Sequence, residues 1–476
     1  MKKVYNLRVT KGSEDMLTRI KNRLYDSSKI DWENLSFTDK ALWALLLPVM
    51  FEQLLNSFMG MADSMMVSRI GSAAISAVSL TDSINVLIIQ VFAAMATGGA
   101  ILCSQYLGQR NAKGATRAAE QVALTVFVAS TVLTIISMLW RRPILKLIFG
   151  SIDQEVMDGA IIYFLVTALS YPFLALFQAG SAFYRAGGNS RFPMKISIIS
   201  NVGNIIGNAV FIFVFHWGVF GAALSTLLSR AGSMLALFYF LRRNNQPIVL
   251  RDYLKIRPEW NMIRRVLAVG IPSGIENGMF QFGKLAIQSS VSTLGTAAIA
   301  AQAMTNIMEN LNGIGCIGMG IGLMTVVGQC VGAGKKEEAK YFIVKVTAYS
   351  EIVLIISCLA IWAMIRPVTI LAGMEPEAAA MCIFMVNWIT IVKPFFWNLS
   401  FVPGYGMRAA GDVRFSMLLS STTMWLCRVL LATVLIRVFH FGPIAVWIGM
   451  FCDWFLRGSL YLYRFLSEKW LKFNLV

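Results

Sequence analysis

Twelve long apolar runs dominate the pattern along the chain, each close to the roughly 20 residues that an α-helix needs to cross a bilayer. They lie at 41–65, 78–107, 118–140, 159–182, 195–215, 219–241, 266–290, 298–330, 342–365, 379–403, 415–437 and 443–463. The runs are continuously apolar, whereas the strands of a transmembrane barrel are short and alternate. The pattern therefore predicts an all-α membrane protein with about twelve transmembrane helices.

Composition supports lipid as the solvent for most of this surface. Hydrophobic residues make up 57% of the 476 residues and charged residues only 14%, whereas soluble domains carry about 25% charged residues. So much apolar surface cannot be buried inside one water-soluble core of this length. We therefore expect the lipid bilayer to be the protein's first partner.

The basic residues predict the orientation of the chain. If residues 1–40 are cytoplasmic, the cytoplasmic segments hold 31 of the 42 Lys and Arg, the opposite side holds six, and five lie within spans. This bias predicts a multi-pass protein of the inner or plasma membrane with both termini cytoplasmic. The net charge of +17 is spread over short clusters between apolar runs, so we expect no binding of nucleic acid. Because residues 1–40 contain no apolar signal-peptide core, we expect the first run to act as its own insertion signal.

The sequence repeats itself after 224 residues, which is the most informative feature of the pattern. The shift superposes Pro48 on Pro272, Glu52 on Glu276, Gly71 on Gly295, Gln105 on Gln329, Arg142-Pro143 on Arg366-Pro367, and His216 on His440. Each half then has six spans inserted with the same orientation. Such a parallel repeat predicts two six-helix bundles related by a pseudo-twofold axis along the membrane normal, with a cavity between them.

This repeat divides the chain into five predicted segments. They are a cytoplasmic amino-terminal segment (1–40), a first six-helix bundle (41–241), a basic and partly helical cytoplasmic linker (242–265), a second six-helix bundle (266–463) and a cytoplasmic tail (464–476).

Several motifs carry a family resemblance over about residues 40–465. The motifs are Pro48 followed by Met61-Ala62-Asp63-Ser64-Met65-Met66-Val67 and Ile70-Gly71, then Phe183-Tyr184-Arg185-Ala186-Gly187-Gly188-Asn189-Ser190-Arg191, and Gly218-Val219-Phe220-Gly221-Ala222-Ala223, with a weaker second copy at Met407-Arg408-Ala409-Ala410-Gly411-Asp412. They resemble the MATE (multidrug and toxic compound extrusion) transporters. The resemblance implies a secondary-active antiporter that exports small organic, often cationic, compounds in exchange for H⁺ or Na⁺ by alternating access.

Asp63 in the first span is the main candidate for coupling to a cation. An ionised carboxylate inside the bilayer costs at least about 2.5–3.5 kcal/mol, so it needs a partner or a purpose. Burial favours the neutral form of a carboxyl group, which would let it bind and release a proton. The resemblance places the family's coupling aspartate at this position. The alternative is a hydrated Asp63 near the outer end of its helix, beside Arg69.

Asn204 and Asn208 lie four residues apart and so share one face of the fifth helix. Their amide oxygens, with the hydroxyl of Thr226, are suitable ligands for a hard cation. The resemblance places all three residues around the same cavity as Asp63, which gives a candidate Na⁺ site at Asp63, Asn204 and Asn208. Many relatives have an acid where Asn208 stands, so we expect a single negative charge here, and H⁺ and Na⁺ both remain open. Alternatively, these side chains only hydrogen-bond helix to helix.

The second half does not mirror this set, since Asp63 superposes on Ile287, Asn204 on Arg428 or its neighbour, and Asn208 on an apolar position near Leu431. The candidate cation site therefore belongs to the first half.

Other polar residues predict gates or a second polar site. Glu52 and Glu276 are mirrored, which favours a structural or gate-forming role. Lys393 and Arg428 are expected to neutralise Glu276 or Glu309 as buried pairs and to disfavour a purely cationic substrate in that half.

Two mirrored prolines lie four or five residues into their spans. We predict that Pro48 and Pro272 kink the first and seventh helices.

Two other classes of function remain as alternatives. A flippase for a lipid-linked precursor, from the same superfamily, would need a more strongly charged cavity and usually extra helices. A membrane-embedded enzyme or receptor would need a catalytic constellation or an added soluble domain. No HExxH, GxSxG or phosphate-loop motif is present, and no Cys/His set has metal-ligand spacing. We therefore expect no enzymatic activity, no cofactor and no metal centre beyond the candidate Na⁺ site, and a monomer.

Overall fold

The computed structural model describes residues 24–150, 153–243, 246–251, 253–473 and 475. Parts of the predicted amino-terminal segment, linker and tail therefore lie outside the described residues.

The described residues form twelve long helices, one for each predicted apolar run. In the first half they are Asp39–Ser68 (α1), Ser72–Gly108 (α2), Ala112–Leu139 (α3), Gln154–Leu169 with Tyr171–Ala186 (α4), Arg191–Asn208 with the π-helical turn Ala209–Val214 (α5) and Gly218–Leu241 (α6). In the second half they are Trp260–Val291 (α7), Thr296–Gly332 (α8), Lys336–Leu371 (α9), Pro376–Ala409 (α10), Val413–Thr423 with the π-helical Met424–Leu431 and Ala432–Arg437 (α11), and Ile444–Leu466 (α12). The predicted all-α membrane fold is confirmed.

Most of these helices are long and apolar enough to cross a membrane. Nine pass this test among the described residues, and ten do so when the two parts of α4 count as one span. The other two are α7, which carries Glu276 and Lys284, and α12, which carries Asp453 and Arg457. The charged side chains of these two helices make them less apolar than the other ten spans.

Helix α4 departs from the predicted single span, because its two parts meet at an angle of 43°. Pro172 stands in the first turn of the second part, where its missing backbone N–H and its ring interrupt the ladder of hydrogen bonds. The hydroxyl of Ser170 at the bend donates to the carbonyl of Thr167 (2.6 Å) and accepts from Arg230 of α6 (2.7 Å). The bend is thus stabilised from a neighbouring helix. A short helix that the pattern did not predict, Arg141–Phe149, lies between α3 and α4.

The backbone repeats along with the sequence. His216 and His440 are both left-handed, with φ of 55° and 54°, and each lies just before the last helix of its half. Gly71 and Gly295 also share positive φ (146° and 95°). A π-helical stretch interrupts the fifth helix of each half. The two parallel six-helix bundles related by pseudo-twofold symmetry are therefore confirmed.

The two bundles meet most closely where α2 and α8 end. A methyl group added at Gly108 would lie 2.1 Å from the carbonyl oxygen of Gln329, and one at Gly332 would lie 2.1 Å from that of Gln105. Only glycine permits this approach of two backbones. We call this end of the molecule, where α1 and α7 begin, the closed end.

A mirrored pair of hydrogen bonds joins the bundles at the closed end. The side-chain amide of Gln105 donates to the carbonyl of Ala409 in the second bundle (2.8 Å). The side-chain amide of Gln329 donates to the carbonyl of Ala186 in the first bundle (2.7 Å). We call these two bonds the glutamine latch.

The segment before α1 also fastens to the second bundle at this end. The backbone N–H of Asp26 donates to Glu337 (2.8 Å), and Lys335 donates to the carbonyl of Asn34 (2.8 Å). The ring of Trp32 meets Tyr341 edge to face at 5.1 Å. The closed end is therefore held by the crossing of α2 with α8, by the glutamine latch and by the segment before α1.

The opposite ends of α1 and α7 lack such contacts. Among the described residues, the hydrogen bond between the bundles that lies farthest along α7 runs from the side-chain amide of Asn277 to the carbonyl of Gln90 (3.4 Å), and a methyl group added at Gly60 would meet nothing within 4 Å. A cleft between the bundles therefore opens at the end away from the closed end. Helices α1 and α7 run through Pro48 and Pro272 without a break, and kinks at these prolines remain a prediction.

Candidate functional site

Asp63 lies between α1, α5 and α6, together with the three polar residues singled out in the sequence. Its carboxylate accepts a hydrogen bond from the side-chain amide of Asn208 at 2.7 Å. Asn204 is 5% and Asn208 1% exposed, because both face inward from α5. Asp63 thus points to the interior of the first bundle and contacts α5, and no ion pair with Arg69 is seen among the described residues.

The amide of Asn204 is oriented by its neighbours. With its nitrogen towards Asp63 it donates to Oδ1 of that carboxylate (2.9 Å), and its oxygen accepts from the backbone N–H of Thr226 (3.2 Å). The reverse orientation places the amide oxygen against the carboxylate, so we assign the first one from the hydrogen-bond network. Asp63 then has two amide donors on one oxygen. The hydroxyl of Thr226 donates to the carbonyl of Ala222 (3.1 Å).

The side-chain oxygen of Asn208 accepts no hydrogen bond from the described residues. Asn208 Oδ1 is buried and has no hydrogen-bond partner among the described residues. Leaving such an atom unsatisfied costs about 1–3 kcal/mol, and a cation bound to this oxygen would remove that cost. Amide and carboxylate oxygens are ligands that suit a hard monovalent cation.

A second carboxylate and an arginine lie close by, and the sequence analysis missed both. Asp82 of α2 and Arg230 of α6 are near enough to act on Asp63 electrostatically. Asp82 accepts from the amide of Asn85 (3.0 Å), which itself accepts from the hydroxyl of Tyr171 (2.7 Å). The expectation of a single negative charge is therefore wrong, since the site holds two carboxylates and one guanidinium. The missed signal was simple: both residues are charged side chains inside apolar runs.

Glu52 and Glu276 form mirrored ion pairs within their own bundles. Glu52 meets Arg185 at 3.2 Å, and Glu276 meets Arg408 at 3.4 Å. Each arginine directly precedes an alanine whose carbonyl accepts a bond of the glutamine latch. These glutamates therefore lie next to the closed end. The expectation that Lys393 or Arg428 neutralises Glu276 is wrong, because Arg408 at the end of α10 lies nearer.

The second bundle contains two groups of buried charges. Lys393, fully buried, pairs with Glu309 at 2.7 Å, which is one of the two pairings expected. Arg428 pairs instead with Asp453 of α12 at 2.6 Å. Asp453 also pairs with Arg457 on the next turn of its helix. The expected pairing of Arg428 with a glutamate is wrong, because Asp453, a carboxylate inside the last apolar run, forms the ion pair instead.

The two halves of the chain also match one family model separately. The MatE model matches residues 48–210 and 272–434. The chain belongs to the MatE family. The two matched stretches begin at Pro48 and Pro272, which are the positions that the internal repeat superposes.

Named proteins similar to this MatE chain are transporters. It is 27% identical over 441 residues to a probable multidrug resistance protein NorM of Thermotoga maritima, covering 91% of this chain and 93% of that protein. It is 22% identical over 287 residues to an FAD transporter of Shewanella oneidensis, covering 59% of this chain and 62% of that protein. A solved outward-facing conformation of a multidrug resistance MATE family transporter superposes with a TM-score of 0.84 at 19% identity, covering 90% of this chain and 97% of that one. This MatE protein is thus a multi-pass membrane transporter of small molecules.

Proposed function

We propose that this MatE protein is a secondary-active antiporter that exports organic compounds in exchange for H⁺ or Na⁺. The observation that carries the proposal is the half-buried carboxylate of Asp63, which accepts from the amide of Asn208, whose own oxygen has no hydrogen-bond partner among the described residues. Two bundles that meet at one end and part at the other provide the architecture for alternating access. The export of multiple drugs is supported by the names of relatives, among them the probable multidrug resistance protein.

The mechanism follows from the differential affinity of each ligand for the two conformations. Binding of H⁺ or Na⁺ neutralises Asp63, and this relieves its repulsion with Asp82 and permits the first bundle to repack. Substrate bound in the cleft favours the conformation in which the carboxylate is free. The cation then favours one conformation and the substrate the other, which couples their movements in opposite directions.

The proposed orientation places the closed end and both termini in the cytoplasm and the protein in the plasma membrane. The excess of Lys and Arg in the segments at this end supports it. The conformation described is then open to the outside. We propose that a single chain is the transporting unit, because each chain has two bundles with a cleft between them.

Removing the charge of Asp63 tests the coupling. We expect Asp63→Asn to abolish efflux of an ethidium-like dye from proteoliposomes driven by an imposed pH or Na⁺ gradient, since asparagine cannot change its charge. Asp158→Asn is the matched control, because Asp158 is 54% exposed and pairs only with Arg142 at 3.9 Å. Gradient-driven efflux that persists undiminished in Asp63→Asn contradicts the proposal, and the gradient that drives the unaltered protein identifies the ion.

A further inference from the structure

The charges buried in the two bundles have opposite balance. Five Lys and Arg residues lie within the spans, and only Arg230 belongs to the first bundle. The other four, all in the second bundle, are Lys284, Lys393, Arg428 and Arg457. The acids of these spans are Glu309, paired with Lys393, Asp453, paired with Arg428 and Arg457, Glu276, paired with Arg408, and Glu351. With Arg408 counted, five basic groups face four acids in this bundle, and among the described residues Lys284 is the basic group of the five that forms no ion pair.

Lys284 forms no ion pair with a carboxylate of the described residues. Among the described residues no carboxylate lies within 4 Å of its ammonium, and no hydrogen bond holds it. The charges that act on it are Glu309, which is already bound to Lys393 at 2.7 Å, and Arg428, which repels it. Glu351 of α9 bonds to Asn398 and is not among these charges.

The side chain of Lys284 lies on the side of α7 that faces the cleft. Ile271, Ile275 and Phe282 form an exposed apolar stripe along α7, as expected of a face turned to lipid. Ile275 and Lys284 are nine residues apart, which is two and a half turns, so they lie on opposite sides of the helix. Lys284 is exposed although it lies away from the lipid face. It therefore reaches the space between the bundles.

An aromatic ring lies between Lys284 and Arg428. The Lys284 ammonium is 5.1 Å from the centroid of Phe280, and the Arg428 guanidinium carbon is 5.1 Å from the same centroid. Phe280 is one turn before Lys284 on the same face of α7. One exposed cation, one buried cation and a ring thus converge on one wall of the cleft.

The pseudo-twofold symmetry shows that this polarity is reversed between the bundles. The shift of 224 residues superposes Lys284 on Gly60, Arg428 on Asn204, and Ile287 on Asp63. The first bundle has a carboxylate and an amide where the second has an apolar residue and a guanidinium. The cleft is therefore electronegative on one side and electropositive on the other.

We propose that the wall formed by Lys284, Phe280 and Arg428 binds the carboxylate or phosphate group of an aromatic organic substrate. Lys284 gives the anionic group a charge-assisted hydrogen bond, and Phe280 packs against the aromatic part. The unpaired charge inside the membrane, costly by itself, is compensated when the substrate is bound. The inference rests on the proposed function and names its substrate class: organic anions and zwitterions, the latter with the cationic end towards the Asp63 side.

Equilibrium binding to the purified full-length protein in detergent tests this site without any ion gradient. Fluorescein, an aromatic carboxylate, and ethidium, an aromatic cation without an acid group, serve as probes in fluorescence polarisation. We expect Lys284→Gln to weaken fluorescein binding by about tenfold or more, as for loss of a charged hydrogen bond, and to leave ethidium binding equal or tighter. Lys284→Arg keeps the charge and retains fluorescein binding within about threefold.

Arg264→Gln is the matched control, because Arg264 is an exposed cation on the same helix near the closed end. The proposal is overturned if the unaltered protein does not bind fluorescein. It is equally overturned if Lys284→Gln leaves fluorescein affinity unchanged, weakens ethidium binding as much, or has no larger effect than Arg264→Gln. Failure of gradient-driven transport with this binding pattern intact would overturn the antiport proposal alone.

Discussion

At the residue scale, the two bundles of this protein differ in how their buried charged side chains are paired. The first bundle gathers Asp63, Asp82 and Arg230 around an amide with an unsatisfied oxygen. The second locks its acids in ion pairs, and Asp453 is held between two arginines with no exposed surface. A carboxylate without an arginine in contact is free to change its charge, whereas one that neutralises two guanidinium groups is part of the structure.

The buried triad of Arg428, Asp453 and Arg457 predicts a large loss of stability on breaking it. Asp453→Asn leaves two guanidinium groups without a counter-charge, and breaking a buried pair typically costs about 3–5 kcal/mol. We expect a clearly lower midpoint of thermal unfolding in detergent, followed by tryptophan fluorescence. Arg142→Gln, which breaks the exposed pair with Asp158, should change the unfolding free energy by less than about 1 kcal/mol. Equal effects of the two variants would show that Asp453 is not a structural anchor.

At the element scale, the contact of α2 with α8 depends on two mirrored glycines. Gly108 and Gly332 let each helix lie against the backbone of the other, and a side chain at either position meets a carbonyl oxygen rather than a flexible neighbour. The closed end is thus a close crossing of two long helices. It fixes where the bundles are joined and leaves the other ends of α1 and α7 apart.

Gly108→Ala tests this crossing. We expect it to separate the ends of α2 and α8, lower the midpoint of thermal unfolding and increase the labelling of cysteines introduced at the closed end. Gly60→Ala is the control, since nothing lies within 4 Å of the added methyl group and alanine favours helix by up to about 1 kcal/mol. A Gly108→Ala protein as stable and as closed as Gly60→Ala would contradict the crossing described.

At the scale of the whole molecule, the pseudo-twofold axis relates the two bonds of the glutamine latch and the two ion pairs next to them. The glutamine latch links the bundles twice, and each bond ends beside an ion pair that ties the first helix of a bundle to the fourth. The two bonds of the glutamine latch are equivalent by the pseudo-twofold symmetry. Opening the closed end during alternating access must break both bonds.

Removing the latch should shift the population towards conformations open at the closed end. Each hydrogen bond contributes about 1 kcal/mol net, so Gln105→Ala or Gln329→Ala alone should change the equilibrium about fivefold and the double variant about thirtyfold. Distances between spin labels at Arg110 and Lys336, both exposed, measure the two populations. Strongly unequal effects of the single variants, or none from the double variant, would rule out a symmetric latch.

Much of the fold was predictable because the bilayer imposes simple rules. Each of the twelve apolar runs corresponds to a helix, and the repeat that superposes His216 on His440 reappears as two nearly equal φ angles. The bend in α4 was not predicted, although Pro172 marks its position, because the hydroxyl and guanidinium groups of Ser170 and Arg230 that stabilise it come from different helices.

The sequence by itself determined the membrane fold and its two halves, since length, hydropathy and internal repetition are properties of a linear chain. The family resemblance grouped Asp63, Asn204, Asn208 and Thr226 as one candidate site. Only the tertiary structure decided which charges neutralise one another. Arg428 pairs with Asp453 rather than a glutamate, and no carboxylate of the described residues forms an ion pair with Lys284. Electrostatic energy depends on distance in space, and helices far apart in sequence set those distances only when they pack.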